Sequence, residues 1–113
     1  MSPKDDREYL ESLRNNLEDM ARYVAIAQRD GLEDIILRAI LHCYTEIAEA
    51  VNHLPEAWRA EHRNIPWSQL IGMRNKIVHG YRSMRTEIVW ATVSGEDFVE
   101  LRKAIAALCT KYL

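Results

Sequence analysis

Arg74, His79 and Tyr81 are the residues of this sequence whose types and spacing suit chemistry. In Met73-Arg74-Asn75-Lys76-Ile77-Val78-His79-Gly80-Tyr81, a permanently charged guanidinium stands five residues before an imidazole that titrates near neutral pH, and a phenol follows two residues later. A helix running through His79 would set Arg74 and His79 about 500° apart around its axis. They converge only if the helix ends near His79, where Gly80 turns the chain in a left-handed C-terminal conformation. From Arg63 to Arg85 there is no Asp or Glu, whereas Arg63, Arg74, Lys76, Arg82 and Arg85 are cationic, a local basic patch in a chain of net charge −2. Such a site fits a phosphodiester: Arg binds and neutralises the phosphate oxygens, and His moves protons near pH 7. RNA is favoured over DNA because its 2′-hydroxyl is a built-in nucleophile that one base activates without a metal. A histidine near a helix end also serves as a capping or hydrogen-bonding group, so spacing alone leaves a structural role open. Other chemistries lack their anchors: no Ser sits in a nucleophile elbow, the four glycines are scattered, and Cys/His zinc spacing is missing.

These residues need a scaffold, and the composition says which kind. At 113 residues the chain reads as a single domain, 1–113, large enough to bury roughly two thirds of its unfolded surface. With 48% hydrophobic and 28% charged residues, four Gly and three Pro, few loops and little disorder are expected. No apolar run approaches about 18 residues and the N-terminus lacks a signal peptide's apolar core, so a soluble cytoplasmic protein with no membrane partner is expected. Cys43 and Cys109 fall within apolar helical patterns and read as buried free thiols in a reducing compartment.

The apolar period is helical throughout. Ser2-Pro3-Lys4-Asp5 reads as a helix start, with Ser2 as N-cap and Pro3 at the first helical position. Leu10, Leu13, Leu17, Met20, Val24 and Ala27 then form one stripe that ends at Asp30-Gly31. The opposite, acidic face of Asp5, Asp6, Glu8, Glu11, Glu18 and Asp19 reads as solvated. A second helix is expected from about Glu33 to Leu54, carrying Ile36, Ile40, Cys43, Ile47, Val51 and Leu54, with Pro55 at its end. Beside that stripe runs a polar one of His42, Glu46, Glu49 and His53. As a metal site it lacks the Glu-x-x-His pair on two helices that di-iron bundles use, so no metal is expected. Intrahelical pairing, or a carboxylate lining the Arg74/His79 site, is preferred.

A short helix or turn around Trp58 leads to Asn64-Ile65-Pro66-Trp67, which opens the helix that delivers Arg74. Thr86–Val93 is rich in β-branched and aromatic residues, yet a lone strand in a helical chain has nothing to pair with; a short helix is expected. Ser94-Gly95-Glu96-Asp97 has the pattern of a cap for a last helix, in which Phe98, Leu101, Ile105, Leu108 and Tyr112 keep a three-and-four rhythm. The expected fold is all-α, an up-and-down bundle of four to five helices, with the first, second and last packed against the helix that carries Arg74.

Arg74-Asn75-Lys76-Ile77-Val78-His79-Gly80-Tyr81 resembles the R-x4-H-x-Y signature of the HepT-like proteins, a branch of the HEPN superfamily. The likeness extends to Ile47-Ala48-Glu49-Ala50, similar to an Ile-Gly-Glu-Ala block with Ala48 in place of Gly, to Ile65-Pro66-Trp67, and to Glu87-Ile88-Val89-Trp90. It covers nearly the whole chain. The resemblance implies a dimeric helical bundle in which two copies of the motif face one cleft, so that Arg74 and His79 would meet across subunits as well as within one. It implies a metal-independent, cofactor-free RNA-cleaving toxin, with Arg74 stabilising the phosphate and His79 as general base or acid. Asn75, Lys76 and Glu49 would support the site. The implied partner is an MntA-like nucleotidyltransferase antitoxin that transfers AMP onto Tyr81. The competing expectation is a non-catalytic nucleotide-binding or interaction module of the same fold that partners a nucleotidyltransferase.

Overall fold

A computed structural model describes residues 5–72 and 86–113. Among them the chain forms helices and turns with no strand, an all-α helical bundle. The first helix, α1, spans Asp6–Asp30. Its start differs from the expected Ser2 cap: Asp5 is extended, with φ −85° and ψ 175°, and its carboxylate accepts the Glu8 amide at 2.8 Å, so Asp5 itself is the N-cap. Residues 1–4 lie outside the described residues. Asp6 and Glu8 in the first turn and Arg29 in the last complement the helix dipole. Gly31 ends the helix as expected, at φ 96°, and its amide closes the last turn on the Ala27 carbonyl at 2.8 Å.

The stripe read from the sequence is the buried face: Leu10, Leu13, Leu17, Met20 and Ala27 are buried and Val24 is half-buried. The second helix, α2, spans Asp34–His53 and packs along α1. Its buried face is wider than one stripe, because Leu41, Tyr44, Ala48 and Ala50 join Ile40, Cys43, Ile47 and Val51. Ala48, where the family resemblance has Gly, is fully buried. Small residues there let neighbouring helices approach closely. Burial pushes the Cys43 thiol up to about 11, with the Asp19 and Glu46 charges adding to it, and burial also raises Cys109. Both cysteines are free thiols.

Three further helices follow. α3 is Glu56–Ala60, α4 is described over 67–72, and α5 is Thr86–Val93. The β-branched α5 is helical because Val89 and Val93, one turn apart, are both buried in the core. The last helix, α6, spans Glu96–Tyr112, packs on α1 and α5, and buries Phe98, Leu101, Ala104, Ile105 and Leu108. Ser94 does not cap it, as the sequence pattern had suggested. The Ser94 hydroxyl donates back to the Trp90 carbonyl, and Gly95 occupies the N-cap position without a side-chain bond. A Cβ at Gly95 would stand 2.7 Å from the Ala91 carbonyl oxygen, which is why the α5–α6 corner takes glycine.

Among the described residues α1 is the packing centre, flanked by α2 and α6, while buried Ile65 and Leu70 anchor the start of the helix that leads to Arg74. The far end of α6 is strapped to α3. Trp58 and Tyr112 stack with centroids 4.1 Å apart, and Lys111 and the Tyr112 hydroxyl both donate to Glu61.

Candidate active site

The chain approaches the motif through α4 and leaves it at α5. The approach is tightly held: the Trp67 indole donates to the carbonyls of His62 at 3.0 Å and Arg59 at 3.1 Å, and the Leu70 amide closes the first turn on the Pro66 carbonyl at 3.1 Å. The Arg59 and His62 carbonyls also accept the His62 and Ile65 amides, each at 3.1 Å, so the indole is a second donor that ties α4 to the turn after α3. Arg74, Asn75, Lys76, His79 and Tyr81 lie outside the described residues.

The remaining sequence-derived site residue, Glu49, sits on α2 with its side chain half exposed, and its Oε1 lies 3.1 Å from His53 Nε2. This is the intrahelical pairing that their four-residue spacing suggests. The His53 ring in turn lies flat on Tyr9 of α1, with centroids 4.4 Å apart and planes within 5°. Tyr9 was not singled out in the sequence, because nothing local links it to a residue on the next helix; only the α1–α2 packing joins them. His42, on the same polar stripe, is exposed, and among the described residues no cluster of His, Cys, Asp and Glu has the arrangement of a metal site.

Between the two flanks of the motif opens a cleft of about 630 Å³, with Tyr44, Leu70 and Ile88 in its walls. Its described lining includes Glu87, Glu96 and Asp97 but no Lys or Arg. That lining repels a polyanion, so the described walls of this cleft are not where RNA would be held.

The family model described as Ribonuclease HepT-like matches residues 7–108, which takes in nearly all of α1, the whole of α2, most of α6 and the whole of the motif. The chain belongs to the ribonuclease HepT-like family. Among similar proteins, one from Caldanaerobacter subterraneus subsp. tengcongensis, named "Putative RNase TTE0752", is 34% identical over 110 residues, covering 96% of this chain and 97% of its own length. "Putative RNase MJ0127" of Methanocaldococcus jannaschii is 27% identical over 110 residues, covering 93% and 91%. "Probable ribonuclease HepT" of Thermococcus cleftensis is 28% identical over 101 residues, covering 88% and 91%. No solved structure matches. The HepT-like match extends over α1, α2 and most of α6, so the likeness covers the scaffold and is not confined to the motif segment.

Proposed function

We propose that this chain is a metal-independent endoribonuclease, the toxin of a HepT/MntA-like toxin–antitoxin pair, acting in the cytoplasm as a homodimer of one domain per chain, 1–113. The observation that carries the reading is the HepT-like match over 7–108, and relatives named as RNases along nearly their full length support it. In the proposed reaction His79 takes the proton of the 2′-hydroxyl as its oxygen attacks the adjacent phosphorus. Arg74 neutralises the charge that builds on the non-bridging oxygens. The bond to the 5′-oxygen breaks, that oxygen takes up a proton from an imidazolium or from water, and the products are a 2′,3′-cyclic phosphate and a 5′-hydroxyl. Asn75 orients substrate or imidazole, Lys76 adds positive field, and Glu49 is a supporting carboxylate whose orientation His53 and Tyr9 hold.

Neutralisation follows from the same groups. In the proposed modification the Tyr81 oxygen attacks the α-phosphorus of ATP, pyrophosphate leaves, and the attached AMP brings a phosphate and a base next to Arg74 and His79. Bulk and charge then exclude RNA.

The test is cleavage of RNA in EDTA by purified unmodified protein beside Arg74→Ala and His79→Ala, with analysis of product ends. Cyclic-phosphate ends that either substitution reduces by about 10²–10⁴-fold, with folding intact, are expected. If His79→Ala cuts as well as wild type, or the unmodified protein cuts nothing, the enzyme reading fails and the nucleotidyltransferase-binding module takes its place.

A further inference from the structure

The basic patch of the motif is not the only place where this chain offers positive charge to a ligand. A groove of about 360 Å³ runs between α1 and α6, with Arg14 and Glu18 on one wall, Arg102 and Lys103 on the other, and Leu17 and Ile105 in its lining. Three cations against one carboxylate leave it two charges positive, in a chain whose total is −2. Arg22, Arg29 and Arg38 are each held by a neighbouring aspartate, at 2.6, 2.9 and 2.9 Å. Arg14 and Arg102 make no ion pair or side-chain hydrogen bond with any described residue. Arg7, Arg59 and Arg63 also lack an ion pair among the described residues, but they do not line this groove, where two such arginines come from facing helices. Lys103 reaches only the Glu100 carboxylate, at 3.3 Å, from a largely exposed position.

We propose that this groove is a second contact for RNA, in which Arg14 and Arg102 hold backbone phosphates without reading sequence. The inference rests on the ribonuclease reading for its ligand and on the groove alone for its place. Two planar guanidiniums on facing helices suit the oxygens of successive phosphates, which each arginine engages with two parallel N–H bonds. The aliphatic lining of Leu17, Val99, Ile105 and Ala106 meets the carbon faces of ribose, and the described lining holds no Asn, Gln, Ser or Thr. The contact is therefore to the backbone. The groove also continues: a hollow of about 230 Å³ shares Leu17, Val99 and Arg102 with it and extends to Gly95, so a strand crossing Arg102 has room on both sides. A strand held here is positioned by α1 and α6, two long helices packed directly on each other.

The experiment measures binding of the full-length protein to a fluorescein-labelled single-stranded RNA carrying 2′-O-methyl groups throughout, which blocks cleavage, by anisotropy across a salt series. Arg14→Ala/Arg102→Ala is expected to weaken binding about tenfold at low salt and to lower the slope of log K against log salt by about 1.4, two phosphate contacts at about 0.7 each. Glu18→Gln, which removes the one carboxylate lining the groove, is expected to tighten binding about two- to threefold. Wild-type affinity and slope in the double variant, or no tightening in Glu18→Gln, overturns the proposal, as does a wild-type protein that binds no RNA. If the double variant keeps its RNA affinity but loses binding to a purified HepT-partner nucleotidyltransferase, the groove docks protein and the proposal is likewise overturned. Binding that behaves as expected in a protein that cuts no RNA leaves this contact standing while the ribonuclease reading falls.

Discussion

The cleft at the α5–α6 corner and the groove along α1 share α6 as a wall yet present opposite charge. The cleft has Glu87, Glu96 and Asp97 in its lining; the groove has Arg14, Arg102 and Lys103. The contrast arises along one helix. Glu96 and Asp97 occupy the first turn of α6, where carboxylates complement the exposed amides and the dipole, so their placement has a sufficient cause in helix stability. Arg102 and Lys103 lie one to two turns further on, beyond the reach of that effect, and no aspartate or glutamate on an adjacent turn holds Arg102. An acidic helix start is thus weak evidence of a site, whereas two guanidiniums that line one groove without an ion pair among the described residues have no such structural explanation.

Several substitutions break or sharpen this contrast. The largest effect is expected at Leu101, fully buried on the helix that walls both features. Leu101→Ala should cost about 2–5 kcal/mol in denaturant unfolding and disturb cleft and groove together. Gly95→Ala separates them: its methyl would press on the Ala91 carbonyl at 2.7 Å, costing about 1–3 kcal/mol, and should reshape the cleft while the Arg14/Arg102 end of the groove keeps its affinity for the methylated RNA. Glu87→Gln with Asp97→Asn should leave unfolding within about 1 kcal/mol of wild type and raise RNA affinity by no more than about threefold, a response expected of long-range charge rather than of contact.

The smallest effect lies at the strap on the far end of α6. The hydrogen bond from Tyr112, together with that from Lys111, holds the Glu61 carboxyl below its ordinary range. A depressed folded value means that this contribution is fully present above the ordinary carboxylate value near 4.5 and is lost as pH falls through the lowered one. The melting temperature of wild type should therefore drop slightly more than that of Glu61→Gln in that acid range. The exposed position of the strap keeps the difference small.

Much of the scaffold was legible in the residues. The three-and-four spacing of Leu10, Leu13, Leu17 and Met20 marks a buried face because a helix returns to the same side every 3.6 residues, and Gly31 marks the stop because its φ of 96° suits a residue without a side chain. Thr86–Val93 was legible only by elimination, its β-branched composition being at odds with its helical form. The caps differ from the sequence pattern for a local reason: Ser94 has the right residue type, but whether a side chain caps depends on which backbone donor it faces. Asp5 faces the Glu8 amide, and Ser94 turns back to Trp90. Of the candidate site, the motif and the Glu49–His53 spacing were visible in the chain, while Tyr9 beneath His53 was not.

What the sequence alone determined, then, is the set of helices, their buried faces and the HepT-like motif, since each depends on period, residue type and order within a short span. The tertiary structure decided which distant residues meet: Tyr9 on His53, Tyr112 on Trp58 and Glu61, and Arg14 across from Arg102. The reason is that helix periodicity specifies which side of a helix turns inward but not the rotation and offset at which two helices pack. Only packed side chains fix those, and with them the grooves between helices and the charges that line them.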